Sequence, residues 1–387
     1  MESIVMNEQN TKFKEKVIAR MRMREQDLTH CLACGTCTAG CPVREIDSKF
    51  NPRKIARMVL LGVESYFKEN PEIPYSCNLC GLCQETCPYG LNIGDLCLAL
   101  REQLVEDGIG PLPKHKIIEE EKEFVTSSAF TISLPDPDAA ECTRVFFPGC
   151  NLAAYSPAMV MKVWDFLRAK LPGTGIILRC CGALSDELGL SSEFKEAQQA
   201  LENEVHKLGA TELITGCPDC YYHIKQCTPN YRLISLYEIM AEVGIPEVPK
   251  GNDQIFTLHD SCKTRWEKEI QDSVRKLLVS MGYQIEEMRY SRELTRCCGQ
   301  GGLTVGLNPF RVFSIAKLRL GESHHDILTY CASCREGFAS LKPSLHILDL
   351  MFNPDWEKDK PKPPNKTQVR RENQLLLKSL LAERATP

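Results

Sequence analysis

The sequence predicts an α+α/β chain, in which an all-helical N-terminal domain is followed by a duplicated α/β domain with small parallel sheets. Two observations lead to this fold class. Amphipathic helical segments separate and follow two tight cysteine runs in the first third of the chain. The remaining two thirds alternate short apolar strands with amphipathic helices, and a long-range cysteine pattern occurs there twice.

These patterns divide the 387 residues into five parts, of sizes that suit domains of roughly 100 to 200 residues. The predicted parts are 1–107 (helical domain), 108–141 (irregular, proline-marked linker), 142–248 and 249–352 (the two repeats) and 353–387 (C-terminal tail). The charged N-terminal segment and the tail are predicted to be arms that cross a subunit boundary, with solvated disorder as the alternative for the tail.

Composition excludes several classes of function. The formal net charge is -4, from 47 basic and 51 acidic residues, so no broad positive field would attract nucleic acid. No stretch reaches the roughly 18 apolar residues that a membrane span needs, and the first residues lack the layout of a secretory signal. We therefore expect a cytoplasmic protein that meets a membrane only through a partner.

Cysteine is the most unusual feature of the composition. The chain has 21 cysteines in 387 residues, about 5%, which is below the roughly 8 to 10% of disulfide scaffolds. Their number is odd, and a cytosolic chain keeps its thiols reduced. Metal binding is therefore the favoured interpretation.

Two runs in the helical domain share the spacing C-x2-C-x2-C-x3-C-P of bacterial ferredoxins. Three thiolates of one run wrap a cubane [4Fe–4S] cluster, and the fourth reaches the other cluster. The predicted ligand sets are Cys31, Cys34, Cys37 and Cys87 for one cluster, and Cys77, Cys80, Cys83 and Cys41 for the other. A zinc ribbon is the alternative, but it pairs two C-x2-C steps and needs only four ligands.

Helices are expected between and after the two runs. Asn51 and Pro52 are typical of a helix start and precede apolar residues at helical spacing. Residues 93–107 are again amphipathic, so this domain should be an all-helical ferredoxin. Cys97 lies on this second helix among leucines, where a packing thiol is favoured over a ligand.

The second part of the chain repeats a five-cysteine pattern. The first copy holds Cys150, Cys180, Cys181, Cys217 and Cys220, and the second holds Cys262, Cys297, Cys298, Cys331 and Cys334. Matching cysteines are 112, 117 and 114 residues apart, which indicates a duplicated domain. With these ten and the eight of the runs, three cysteines remain as packing thiols: Cys97, Cys142 and Cys227.

Strand signals place the cysteine groups at the carboxyl ends of parallel strands. This edge of a sheet is where ligands bind, beside helix N-termini that stabilise anions. Backbone N–H groups at adjacent glycines could reach a cluster there and tune its potential. The glycines concerned are Gly149, Gly182, Gly299, Gly301 and Gly302.

The five-cysteine pattern resembles the CCG domains of the heterodisulfide reductase B subunit. The chain from about residue 25 to 350 resembles the fused C-plus-B arrangement known as the D-type subunit. The resemblance implies one non-cubane [4Fe–4S] cluster in each copy, where a disulfide between two thiol cofactors is split, so all ten cysteines would be both metal ligands and catalytic. Iron–sulfur subunits of glycolate, lactate and glycerol-3-phosphate dehydrogenases share the layout and mainly move electrons.

Two functional hypotheses follow from this resemblance. In the first, the chain is an oxidoreductase subunit that receives electrons from an HdrA-like flavoprotein or another redox subunit and reduces a small disulfide substrate. In the second, it is a relay without its own substrate, linking a flavoprotein to a membrane quinone or to a larger reductase such as the benzoyl-CoA reductase complex of strict anaerobes. A protein scaffold whose repeats bind zinc or no metal is a third possibility.

Four residues around Cys262 are further candidates. His259 and Asp260 could deliver protons to a leaving thiolate, or could simply hydrogen bond to a ligand. Lys263 and Arg265 could attract an anionic substrate, or could belong to a solvated turn.

Overall fold

The computed structural model describes residues 8–22, 28–247, 251, 254–353, 355–358 and 367–384. Its internal contacts divide the chain into two compact units. Unit 1 comprises Met1–Glu119, Leu184–Ser192 and Glu293–Arg319, and unit 2 comprises Glu120–Ala183, Glu193–Arg292 and Leu320–Pro387. Unit 1 thus contains the predicted helical domain and two segments from the repeats, while the domain boundaries stay a prediction.

The described residues form helices and strands in the following order. The helices are α1 (Glu8–Arg20), α2 (Thr36–Ala39), α3 (Pro42–Ile46), α4 (Pro52–Leu60), α5 (Glu64–Glu69), α6 (Glu72–Tyr75), α7 (Leu82–Glu85), α8 (Ile93–Glu106), α9 (Lys116–Thr126), α10 (Gly149–Tyr155), α11 (Pro157–Lys170), α12 (Ala183–Leu188), α13 (Ser191–Lys207), α14 (Pro218–Lys225), α15 (Leu236–Val243), α16 (Lys268–Ser280), α17 (Thr304–Leu307), α18 (Pro309–Leu320), α19 (Ala332–Ala339), α20 (Ile347–Phe352) and α21 (Thr367–Arg384). The strands are β1 (Ile132–Leu134), β2 (Arg144–Phe147), β3 (Thr174–Leu178), β4 (Glu212–Thr215), β5 (Arg232–Ser235), β6 (Ile255–His259), β7 (Gln284–Glu287), β8 (Ile327–Thr329) and β9 (Ser344–His346).

Unit 1 contains no strand among its described residues, which confirms the all-helical prediction for residues 8–106. The side chain of Asn51 accepts a hydrogen bond from Lys54 N at 3.0 Å and caps α4, and Pro52 occupies the first turn. Asn92 caps α8 in the same way. The apolar faces of α1, α4 and α8 form one buried core, so the N-terminal helix is part of this unit rather than an arm.

Unit 2 contains two small, mainly parallel sheets, as predicted. The first has the order β1-β3-β2-β4-β5 and the second the order β7-β6-β8-β9. Every pairing is parallel except that of the edge strand β1 with β3. Strands β2, β3, β4, β6 and β8 each end two or three residues before a cysteine of the repeat pattern, which confirms the placement at the carboxyl edge for these groups. For Cys297 and Cys298 the prediction is wrong, because β7 ends at Glu287, ten residues before Cys297.

Two further parts of the sequence prediction are wrong. Residues 108–141 are not simply irregular, because they contain α9 and β1. Their prolines lie before the helix and after the strand, where they interrupt neither element. Residues 367–384 are neither disordered nor an arm, because α21 packs within unit 2, where Asn373 Nδ2 donates to the carbonyl of Ala154 at 2.7 Å.

Within the part of the chain that the structure describes, no helix combines the length and the apolar character that crossing a membrane requires.

Candidate metal centres

Unit 1 holds a first cavity lined by cysteines of both ferredoxin runs. Its lining includes Cys31, Cys34 and Cys37 of the first run and Cys87 of the second. The loop curls around the cavity because Ala33 adopts a left-handed conformation (φ 52). Burial raises the pKa of Cys37, and the neighbouring thiols raise it further. The four thiols converge as the crossed spacing predicts, while their assignment as ligands stays a prediction.

A second cavity in unit 1 repeats this arrangement with the remaining four thiols. It is lined by Cys77, Cys80 and Cys83 of the second run and by Cys41 of the first. Burial raises the pKa of Cys41 well above its ordinary value, and the thiols of Cys80, Cys77 and Cys83 add to the effect. Several buried thiols without a counter-cation resist ionisation, whereas iron binds the thiolate form. The donor set therefore fits a metal cluster better than an all-thiol packing site.

Two residues beside the second cavity were not identified as functional from the sequence. Cys97 is fully buried, and its thiol forms a hydrogen bond with Cys77 that lowers the pKa of Cys77. Arg101 is also fully buried and donates from Nη2 to the Cys77 carbonyl at 2.7 Å. The two residues lie four positions apart on α8 and therefore on the same face of this helix. This spacing is the feature of the sequence that could have identified them.

Unit 2 brings all five cysteines of the first copy together. Cys150 forms a thiol–thiol hydrogen bond with Cys180, Cys181 contacts Cys180 and Cys220, and Cys220 contacts Cys217. The pKa of Cys150, Cys181 and Cys220 is raised well above the ordinary value by hydrogen bonds to neighbouring thiols and by burial, although the contact with Cys220 partly offsets the rise at Cys181. Because α10 and α14 begin beside these cysteines, both helix N-termini lie near the thiols. Five adjoining thiols, four on buried cysteines and one on the partly buried Cys150, fit a metal cluster in the same way as the cavities of unit 1.

The glycines beside the first copy are required by close approach. A Cβ at Gly149 would lie 2.7 Å from Cys220 Sγ, and one at Gly182 would lie 2.9 Å from the ring of Phe194. Both have positive φ, of 74° and 85°. The backbone N–H of Gly182 also points to Cys180 Sγ at 3.4 Å, as expected for glycines that bring N–H groups to sulfur.

The five cysteines of the second copy are distributed over the two units. Cys297 and Cys298 belong to unit 1, where the N–H of Gly299 donates to Cys297 Sγ at 3.3 Å. Cys262, Cys331 and Cys334 belong to unit 2. All five are buried. Within unit 2, a hydrogen bond from Cys334 lowers the pKa of Cys331. That the five bind one cluster stays a prediction.

A cluster of charged side chains lies beside the cysteines in unit 2. Lys263 is 7% exposed, and its Nζ lies 3.3 Å from His223 Nε2 and 3.5 Å from Asp219 Oδ1. Burial raises the pKa of Asp219, but Lys263 and His223 outweigh this and lower it overall. Asp219 stands between Cys217 and Cys220 in the sequence, so a buried ammonium group and an imidazole lie next to the thiols.

Other residues singled out in the sequence have structural partners. Asp260 accepts two hydrogen bonds from Arg275, at 3.0 and 2.8 Å, and one from Arg292 N at 2.8 Å. His259 is buried against the ring of Phe338. The carbonyl of Arg265 accepts a hydrogen bond from a buried glutamine. Lys263 and Arg265 are both buried, so they do not belong to a solvated turn.

Comparison with known families agrees with this division of cysteines. The family described as 4Fe-4S dicluster domain matches residues 27–91. The CCG family, described as cysteine-rich domain, matches twice, at residues 144–225 and 256–338. The first match covers both ferredoxin runs, and the other two coincide with the two copies of the repeat.

Several curated proteins with similar sequences are subunits of redox enzymes. One is the D subunit of the dihydromethanophenazine:CoB–CoM heterodisulfide reductase of Methanosarcina acetivorans, 24% identical over 84% of this chain and 92% of that protein. Another is the B subunit of the fumarate reductase (CoM/CoB) of Methanothermobacter marburgensis, 26% identical over 85% of this chain and 73% of that protein. A third is the glycolate oxidase iron–sulfur subunit of Escherichia coli, 23% identical over 76% of this chain and 84% of that protein.

Proposed function

The chain belongs to the heterodisulfide reductase D-like family of iron–sulfur electron-transfer subunits with CCG domains, and from this premise we propose that it uses four clusters to reduce a disulfide-type substrate. Two cubane [4Fe–4S] clusters would bind to the crossed ligand sets of unit 1. Two non-cubane clusters would bind to the five-cysteine groups of the two copies. The observation that carries the proposal is the convergence of five thiols in the first copy, one more than a cubane needs; four belong to buried cysteines and one to the partly buried Cys150.

The reaction needs two electrons and two protons, because one S–S bond breaks and two thiols form. Bound clusters would supply one-electron storage and a Lewis-acidic iron that accepts sulfur. The chain supplies the environment for this chemistry. Within unit 2, four cysteines of the first copy are buried and Cys150 is partly buried, which limits the access of water to the sulfur atoms.

The reaction also requires a source of protons and a group that stabilises the negative charge of the leaving thiolate. The charged cluster of unit 2 can provide both. The Lys263 ammonium group is held in place by Asp219 and His223 and lies over the ring of Tyr222 at 4.6 Å. A buried ammonium group stabilises a thiolate as it leaves, and the neighbouring imidazole is a candidate proton donor. We therefore assign Lys263 and His223 to product thiolate stabilisation and proton delivery.

Metal analysis of anaerobically purified protein tests the cluster count. Four four-iron clusters predict about 16 irons per chain, whereas cubanes alone predict about 8. Cys150→Ala should remove about four irons and abolish disulfide turnover, while Cys142→Ala, at a packing thiol, should keep both. A wild-type protein with about 8 irons contradicts the proposal for the copies.

A relay without its own substrate is a second candidate, favoured by the similarity to the glycolate oxidase iron–sulfur subunit. Electrons would then leave from the copies to a partner such as a membrane quinone or a larger reductase, and would enter from an HdrA-like flavoprotein or a dehydrogenase. Fully loaded protein that reduces no disulfide, and shows no paramagnetic signal that depends on added thiol, would favour the relay over catalysis.

A further inference from the structure

The two ferredoxin loops of unit 1 share a backbone but differ in what covers them. Ala33 and Leu79 have nearly the same left-handed φ, of 52° and 50°. Each follows the second residue of its run, which is Leu32 in the first and Asn78 in the second. Leu32 is 70% exposed, whereas Asn78 is 1% exposed. The difference must arise from a segment that packs on the second loop alone.

That segment is the glycine-rich stretch that follows Cys298. A Cβ at Gly301 would lie 2.4 Å from the carbonyl oxygen of Asn78, and a Cβ at Gly302 would lie 2.2 Å from that of Cys77. Real Cβ atoms do not approach oxygen so closely. Glycine at both positions is therefore what allows the segment to touch the ferredoxin loop.

The first copy of the repeat lacks these two glycines. Counted from the cysteine pair, Leu184 and Ser185 of the first copy stand where the second copy has Gly301 and Gly302. Because side chains at these positions exclude the contact, the sequence of the first copy cannot form the same junction.

Asn78 makes the most direct link between the loop and the second copy. Its Nδ2 donates to Cys297 Sγ at 3.2 Å and to the carbonyl of Gly299 at 3.1 Å. The same residue lines the cavity formed by the second ligand set. Among the described residues its Oδ1 accepts no hydrogen bond, so the amide is oriented by the donor contacts alone.

Arg101 also connects the loop at Cys77 with the glycine-rich stretch that follows Cys298. Its guanidinium donates to the carbonyls of Cys77 at 2.7 Å, Gly302 at 3.1 Å and Pro74 at 3.1 Å. It also donates to the carbonyl of Glu187, in the first copy, at 2.5 Å, so the contact that distinguishes the second copy is that of Asn78 with Cys297. Since Arg101 is fully buried, these hydrogen bonds are protected from water, and they fix the distance between Cys77 and the second copy.

We propose that this junction couples the second cavity of unit 1 to the second copy of the repeat, and that Asn78 is its positioning residue. The inference rests on the proposed function, because it requires clusters on Cys77 and on Cys297. An N–H donor to a ligand sulfur stabilises the more negative, reduced state and so raises the reduction potential. Asn78 thereby makes the second copy, rather than the first, the acceptor of electrons from the cubane.

Potentiometric titration followed by electron paramagnetic resonance tests the role of Asn78. Asn78→Ala should shift the electron-sharing equilibrium about tenfold toward the cubane, which is about 59 mV for one electron. Asn78→Asp, which keeps the size but removes the donor, should shift it in the same direction. Leu32→Ala, at the matching position of the first run, should leave the potential of the second copy unchanged. An unchanged potential in a fully loaded Asn78 variant overturns the assignment.

A second measurement is independent of how the Asn78 variants fold. The magnetic coupling between a cubane and a cluster of the repeat should persist in Cys150→Ala and disappear in Cys262→Ala, a matched pair at the same position of the two copies. The opposite result overturns the proposed order. Iron content separates the two proposals: low iron in the wild type contradicts the cluster assignment, whereas full iron with coupling to the first copy contradicts only the junction.

Discussion

Replacing Gly302 by alanine should loosen the contact between the glycine-rich segment and the Cys77 loop. The new Cβ would lie 2.2 Å from the carbonyl oxygen of Cys77, and such overpacking typically costs about 1–3 kcal/mol. Gly302 also has a φ of 65°, and a left-handed conformation costs a residue with a Cβ about 1–2 kcal/mol. Together the two effects predict a loss of about 2–5 kcal/mol of local stability.

Gly90→Ala is the matched control for this prediction. Gly90 lies in the same unit with a φ of 67°, and no atom of the described residues lies within 4 Å of the position of its Cβ. Only the conformational cost of about 1–2 kcal/mol applies there. The extra 1–3 kcal/mol at Gly302 corresponds to roughly 5- to 160-fold faster local opening.

Amide hydrogen exchange measures this difference in the peptide that holds each substitution. The acceleration over wild type should be greater at Gly302 than at Gly90 by that factor. Equal acceleration in the two variants would refute the reasoning, because it would mean that the segment accommodates the new methyl group without losing stability.

Three further predictions concern other parts of the molecule. Burial raises the pKa of Glu102 to about 7, so the folded protein holds this proton more tightly than the unfolded chain does. The resulting stabilisation is fully present below pH 4.5 and is lost as the pH rises through 7. The free energy of unfolding, measured anaerobically, should therefore fall by up to about 3 kcal/mol over this range in the wild type and change less in Glu102→Gln. Cys41→Ala should remove the paramagnetic signal of the second run's cubane and Cys87→Ala that of the first, whereas the reverse assignment would contradict the crossed ligation. Leu377→Ala, at a fully buried position of α21, should lower the denaturation midpoint by the equivalent of about 2–5 kcal/mol, while exposed Leu376→Ala should change it by less than about 0.5 kcal/mol.

Much of the fold could be predicted because its signals are local. The Asn51 cap and Pro52 define the start of α4, and the strands before Cys150 and Cys217 are short β-branched or aromatic runs. The approach to Cys297 gave only a weak signal, because β7 ends ten residues earlier, at Glu287. Three of the four residues of this strand are polar, and none of the four is buried, so periodicity could not locate the strand.

The candidate site was less accessible to sequence reasoning, since its neighbours come from distant parts of the chain. The spacing alone predicts the convergence of each ferredoxin set. It does not predict that Asn78 reaches Cys297, which lies 219 residues away, or that Lys263 pairs with His223 rather than lying in a turn. Such contacts depend on which segments pack together, and a single sequence carries no direct record of this.

Unit 1 is assembled from three stretches of chain, which are separated by 64 and by 100 residues of unit 2. On the ribosome, the stretch that ends at Glu119 therefore emerges long before Glu293–Arg319 is synthesised. Ile315, which belongs to its buried core, is missing from any fragment cut at residue 107. It follows that the dicluster portion cannot be excised at its apparent boundary as a finished module, and that its maturation waits for most of the polypeptide to be translated.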